Sequence, residues 1–240
     1  MSVEAEGLYY TYPDGTEALR GVNLRVEKGE TLVLLGPNGS GKTTLLLILG
    51  CLLQAQKGSL RICGVEVNRE NISKVRRRVG VVFQNPDDQV IAPTVYDDVA
   101  FGIRNLGHDE GYVERRVDEV LKLLNIHELK YKNPDNLSGG QKKKVAIAGI
   151  LAMGPEVIIM DEPTSGLDGF GFRSIVEIVE SLKGERTLII ATHDMDLAET
   201  VGDRFAYIFD GRIVHECKKI DYSLAAQLGI RCYMRGVERC

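Results

Sequence analysis

Residues 36–43 read Gly36-Pro37-Asn38-Gly39-Ser40-Gly41-Lys42-Thr43. Glycines at this spacing let the backbone curl with its N–H groups pointing inward, and at a helix N-terminus that curl is an anion-binding concavity. Lys42 has the reach for outer phosphates, and the Thr43 hydroxyl is placed for Mg2+. The flanks supply the context such a loop needs. Thr31–Leu35 is an apolar run of strand length, and Thr44–Leu53 is an apolar, helix-like run. Strand, glycine-rich turn and helix in this order commit the chain to an α/β fold built around a phosphate cradle.

Composition narrows the class. The 240 residues are 44% hydrophobic and 27% charged, as in a globular domain with a substantial core. A net charge of −4 argues against a surface that coats nucleic acid. The basic triplets Arg76-Arg77-Arg78 and Lys142-Lys143-Lys144 are isolated and read as solvated helix faces. No stretch approaches the roughly 18 apolar residues of a membrane span. The opening Met1-Ser2-Val3-Glu4-Ala5-Glu6 lacks the basic start and apolar core of a signal peptide. These features predict a cytosolic chain that relies on other proteins for any membrane span. Cys51, Cys63, Cys217, Cys232 and Cys240 are scattered without a C-x-x-C pair, which predicts free thiols.

The first 67 residues carry short alternating runs, Leu8–Tyr12, Leu19–Val26 and Ser59–Val67, broken at Pro13-Asp14-Gly15 and Lys28-Gly29. They predict an antiparallel sheet wrapped around the cradle strand. Continuous apolar runs come next at Val79–Phe83, Val157–Met160 and Leu188–Ala191, with Phe205–Phe209 a later strand that turns at Asp210-Gly211. Such runs predict a mainly parallel sheet covered on both faces. Between them, Val113, Val117, Val120, Leu121 and Leu124 lie on one helical face. The expected organisation is one domain over 1–220, with a small helical lobe at about 86–152, and a short tail over 221–240 that has a helical pattern near Ser223–Leu228.

Two further strings carry chemistry. Val157-Ile158-Ile159-Met160-Asp161-Glu162 is a buried strand with two carboxylates at its C-terminal end, the edge where parallel sheets bind ligands. Asp161 is placed to hold Mg2+, and Glu162, facing the other way, to polarise an attacking water. Leu137-Ser138-Gly139-Gly140-Gln141 opens a helix that runs through Ala152 and makes a second anion site of N–H groups and a hydroxyl. The N-K-x-D string with which GTPases read guanine is not present.

Taken in order, these strings resemble the ATP-binding-cassette (ABC) ATPases over nearly the whole chain. The resemblance implies an ATPase with ATP and Mg2+ as ligands, the loop from Gly36 to Thr44 holding ATP, and Tyr12 stacking on adenine. It implies that Gln84 senses the γ-phosphate and joins Thr43 and Asp161 at Mg2+, and that Glu162 and His193 serve catalysis. By the same resemblance Ser138, Gly139, Gly140, Gln141 and Asp168 complete the pocket of a second ATPase subunit, identical or different. An isolated chain is then a poor ATPase until it pairs.

The segment Phe83-Gln84-Asn85-Pro86-Asp87-Asp88-Gln89, with Pro93-Thr94-Val95 and Asp98–Gly102, is similar to the ATPases of energy-coupling-factor (ECF) transporters, including cobalt and nickel importers. So is Gln141–Leu151. That branch implies a multi-span coupling subunit, a substrate-binding membrane protein, a peripheral place on the cytoplasmic face of the cell membrane, and cargo that is cobalt, nickel or a vitamin. A length shorter than many vitamin-type members points toward the metal importers. A conventional ABC transporter ATPase is the alternative. Repair and chromosome-maintenance members insert long coiled coils, and translation-type members carry two cassettes; neither is seen here. Lys144 stands where the family has arginine, and Gly169-Phe170-Gly171 where it has a proline after Asp168, which bears on the support of the signature and the stiffness of that loop. His215, Cys217, Cys232 and Cys240 could together offer a soft-metal site, but their irregular spacing favours free thiols.

Overall fold

The computed structural model describes residues 1–230. β1 (Val3–Thr11) and β2 (Glu17–Val26) form a hairpin, and β3 (Thr31–Leu35) leads through the glycine loop into α1 (Lys42–Leu49). β4 (Lys57–Ile62) and β5 (Val65–Glu66) return beside β1, giving an antiparallel sheet in the order β2-β1-β4-β5. The chain continues through α2 (Ile72–Arg76), β6 (Val79–Val82), α3 (Val95–Asn105), α4 (Glu110–Leu123) and α5 (Gly139–Met153). It ends with β7 (Val157–Asp161), α6 (Gly169–Leu182), β8 (Thr187–Thr192), α7 (Met195–Val201), β9 (Arg204–Phe209), β10 (Arg212–Cys217) and α8 (Tyr222–Gln227). The second sheet has the order β10-β9-β3-β8-β7-β6 and is parallel apart from the β9–β10 hairpin. The fold is therefore the α/β arrangement expected, with an antiparallel layer and a helical lobe.

Side-chain alternation explains why the parallel strands are buried on both faces. Leu32 and Leu34 of β3, Val157 and Ile159 of β7, and Ile189 and Ala191 of β8 pack with α1 and the antiparallel sheet. Their neighbours Val33, Leu35, Ile158, Met160, Leu188 and Ile190 point the opposite way, into α3, α4, α5, α6 and α7. α4 buries Val113, Val117, Val120 and Leu121, the predicted face. Asp109, Ser138, Asp168 and Asp194 cap α4, α5, α6 and α7, each accepting from a backbone N–H two or three residues on.

β6 supports the helix that carries the second anion site. A Cβ on Gly80 would lie 2.2 Å from Ile150 Cγ2 of α5 and 3.1 Å from Pro155 Cγ. Gly80→Val is therefore expected to lower stability by about 1–3 kcal/mol through overpacking. A urea unfolding midpoint that did not move would show that α5 and β6 are not in such close contact.

Some boundaries differ from expectation. α1 stops at Leu49, short of Leu53: Gly50 caps it, Cys51 takes the left-handed φ of 58°, and Leu52 N–H returns to the Leu47 carbonyl. β1 runs from Val3 to Thr11, so it starts before the expected Leu8 and Tyr12 lies just past its end. The reading of Lys142-Lys143-Lys144 as a solvated face is wrong. Lys143 is 1% exposed, Lys142 pairs with Asp87, and the Lys144 ammonium donates to the Leu124 carbonyl at 3.3 Å. The other triplet is mostly surface, with Arg76 and Arg77 exposed. Among the described residues Cys51, Cys63 and Cys217 are free, and no cluster of His, Cys, Asp and Glu suited to a metal forms. Cys232 and Cys240 lie outside the described residues. No helix among the described residues is long and apolar enough to cross a membrane.

Candidate functional site

The parallel strands end on one edge, and the loops that leave those ends meet there. Leu35 of β3 is level with Thr192 of β8, and Asp161 of β7 with Ala191. The glycine loop therefore lies beside the Asp161-Glu162 pair and beside His193, while Gln84 enters from the end of β6. A cavity of about 320 Å3 opens at this edge. Its walls include Tyr12, Asn38, Gly39 and Gly41 through Thr44 on one side, and Gln84, Asp161, Glu162 and His193 on the other.

Gly41 caps α1 with φ of 104°, and a Cβ there would sit 2.5 Å from the Ala18 carbonyl. Only glycine meets both conditions without strain. Behind it the first turn of α1 presents N–H groups that have no helical partner, the positive end of the helix. The Lys42 ammonium is held by the carbonyls of Gly36 at 2.6 Å and Pro37 at 3.1 Å. Burial pushes its pKa down, and the nearby Glu162 and Asp161 oppose that. The Tyr12 hydroxyl is 3.0 Å from Thr44 Oγ1, and its ring meets Tyr10 edge-on.

The two carboxylates diverge, as the strand-end spacing predicts. Asp161 accepts from Thr43 Oγ1 at 2.7 Å. Its pKa is raised by burial, with the Thr43 bond pulling the other way and the Glu162 charge adding to the rise. Glu162 is 5% exposed and takes a left-handed φ of 44°, a strained conformation for this residue type. That twist brings its carboxylate to the end of β8. It accepts from Thr192 Oγ1 at 3.1 Å and from the His193 N–H at 3.4 Å, and lies 2.7 Å from His193 Nδ1. Half of the His193 side chain remains exposed on the cavity side. A hydroxyl, a carboxylate and an amide oxygen from Thr43, Asp161 and Gln84 are hard oxygen donors lining one cavity, a set suited to Mg2+.

Other predicted residues are not brought to this cavity. Gly36, Pro37 and Ser40 of the same loop are not among its lining residues; Gly36 and Ser40 are buried, and the Ser40 hydroxyl has no hydrogen-bond partner. Ser138, Gly139, Gly140, Gln141 and Asp168 are elsewhere. Ser138 and Gln141 form a reciprocal capping box at the start of α5, where Ser138 and Gly139 are exposed and Gly140 is half-buried. A Cβ on Gly140 would lie 3.8 Å from Gly171 Cα and 3.9 Å from Leu167 Cδ2, so the signature and the loop ending at Asp168 are neighbours. Thr16, Glu17 and Ala18 also line the cavity, although no motif in the sequence marks them; the turn at Pro13-Asp14-Gly15 folds them back over it. A second cavity of about 290 Å3 between α1 and the antiparallel sheet is lined by Leu8, Ile48, Leu60 and Ile72 and holds none of this machinery.

Comparison with known proteins agrees with this geometry. Residues 19–165 match the family described as ABC transporter. The chain is 50% identical to the energy-coupling factor transporter ATP-binding protein EcfA of Methanocaldococcus jannaschii, over 89% of this chain and 78% of that protein. Among solved structures, cbiO1 from Clostridium perfringens, part of the ABC transporter complex cbiONQ, superposes with a TM-score of 0.82 at 40% identity, covering 90% of this chain and 88% of that one. A dimeric ATP-binding cassette in a post-hydrolysis state with ADP and Pi gives a TM-score of 0.81 at 31% identity, over 92% and 100%.

Proposed function

This chain belongs to the ABC transporter ATPase family, and from that membership we propose how its cavity works and what it drives. It is an ATP-binding subunit whose hydrolysis of ATP is coupled to transport, with ECF transporter ATPases as relatives. In the proposed mechanism the N–H groups of the glycine loop and the first turn of α1 hold the phosphates. Lys42 exchanges its loop carbonyls for outer phosphate oxygens, and Tyr12 stacks on the adenine. Thr43, Asp161 and Gln84 would hold Mg2+, which when bound would supply neutralisation of charge on the phosphate oxygens. Glu162 takes the proton from the attacking water, and His193, with Nδ1 protonated, donates to Glu162 Oε1 and keeps that carboxylate aimed.

The observation that carries the rest is the separation of the two anion sites. Ser138, Gly139, Gly140 and Gln141 open α5 and Asp168 caps α6, none of them buried and all away from the cavity that contains Lys42 and Glu162. They are placed to complete the pocket of a second ATPase subunit, so that two nucleotides lie between two subunits arranged head to tail. The partner is a copy of this chain or a related ATPase. Both serve an ECF-type importer of cobalt, nickel or a vitamin, docked at the cytoplasmic face of the membrane on a multi-span coupling subunit and a substrate-binding membrane protein. The partners are membrane proteins, not nucleic acid. Turnover per chain is expected to fall on dilution as dimers dissociate. Turnover that stays constant across the dilution series would refute the shared pocket.

A further inference from the structure

Helix α5 contains a buried cation that none of these roles uses. Lys143 is 1% exposed, and an ammonium so placed needs acceptors to replace its water. It finds them in the backbone around Gln84: its Nζ donates to the Gln84 carbonyl and, at 3.4 Å, to the Phe83 carbonyl. Burial pushes its pKa down to about 8, while the charges of Asp161 and Glu162 favour the cation. Two contacts flank this one. Lys142 pairs with Asp87. Gln89 accepts from the Phe83 N–H at 3.1 Å and donates to the Ala146 carbonyl at 3.3 Å. Three points on the segment after β6 are thus pinned to the first two turns of α5.

We propose that Lys143 is a positioning residue: its ammonium clamps the Phe83 and Gln84 carbonyls, fixing where the Gln84 side chain enters the cavity and tying that placement to the helix that starts at Gly139. The proposal rests on the reading of Gln84 as a group at the phosphate end of ATP. Lys143 lies four residues after Gly139, about one turn along the same rigid helix. A shift of that helix start on meeting a partner's nucleotide is therefore passed to Gln84 most directly through Lys143, the side chain that holds the Gln84 carbonyl itself. Asp161 and Glu162 steady the cation electrostatically from the same cavity. A lysine there serves the role because it is a single flexible stem ending in three donors.

The test is a double-mutant cycle on the whole chain, read in steady-state hydrolysis and thermal melting. Lys143→Met is expected to lower kcat roughly 10- to 100-fold through misplacement of Gln84, with KM for ATP within about twofold. Lys143→Arg, which keeps the charge and donors, is expected to recover most of kcat. Combined with Gln84→Ala, Lys143→Met should add little, because both act through one group. Additive losses, or normal turnover by Lys143→Met, would overturn the proposal. A normal Gln84→Ala would instead overturn the reading of Gln84 on which it rests. If Lys143→Met does not fold, Lys143→Gln, which keeps an amide donor, enters the same cycle with the same criteria.

Discussion

Glu162→Gln is expected to bind ATP normally and to hydrolyse it about 10²- to 10⁴-fold more slowly, the usual contribution of a positioned general base. The substitution preserves shape. The amide oxygen can still accept from Thr192 Oγ1 and the His193 N–H, which now hold the carboxylate at 3.1 and 3.4 Å. The left-handed backbone at this position is no harder for glutamine than for glutamate. Lys42, Thr43 and Asp161, the groups assigned to the triphosphate and its metal, keep their places in the cavity lining. What is lost is the ability to accept a proton from water. Fluorescent-nucleotide binding and single-turnover hydrolysis together check this. Turnover within a few-fold of the unsubstituted chain would remove Glu162 from the role of base.

Gly140→Asp is expected to abolish most hydrolysis while leaving the fold as stable as before or slightly more so. A Cβ at this position meets only ordinary van der Waals contacts, 3.8 Å from Gly171 Cα and 3.9 Å from Leu167 Cδ2. A carboxylate in the first turn of α5 faces the positive end of the helix and should add about 0.3–1 kcal/mol of stability. The same charge would repel the phosphates of a nucleotide presented by a partner. Losing an anion-stabilising site of this kind costs about 10²- to 10³-fold in turnover. Stability and activity therefore move in opposite directions. Thermal melting and steady-state hydrolysis on one preparation test the pair. Near-normal turnover would mean that α5 meets no phosphate, and a collapsed melting temperature would mean that Gly140 is a packing residue.

How much of the structure is legible in the residues depends on how local each feature is. The cradle, the buried strands and the Asp161-Glu162 pair are each contained in a short string whose periodicity or spacing states its place in the fold. The start of α5 belongs with them, since Ser138 and Gln141 stand at the spacing of a capping box and form one. Other features depend on distant partners. β10 is an edge strand with mostly exposed side chains, so Arg212–Cys217 carries no strong alternation. Thr16, Glu17 and Ala18 reach the cavity only because the hairpin turn folds them across it. Lys143 sits in a run of three lysines and reads as solvent-facing. Its burial is decided by carbonyls at residues 83 and 84 and carboxylates at 161 and 162, none near it in the chain. Helix α1 ends early because Gly50 and the left-handed Cys51 stop it, although the apolar run continues to Leu53.

The central claim is that each ATP lies between the glycine loop of one subunit and the α5 N-terminus of another. The most direct measurement is sedimentation equilibrium of Glu162→Gln with and without Mg2+ and ATP, beside the double variant Glu162→Gln/Gly140→Asp. The shared pocket predicts that Glu162→Gln doubles its mass only when ATP is present, and that the double variant stays monomeric although it binds ATP. A double variant that dimerises as readily as Glu162→Gln would contradict it, and a chain that keeps the same mass with and without ATP would contradict a pocket shared between two copies of this chain.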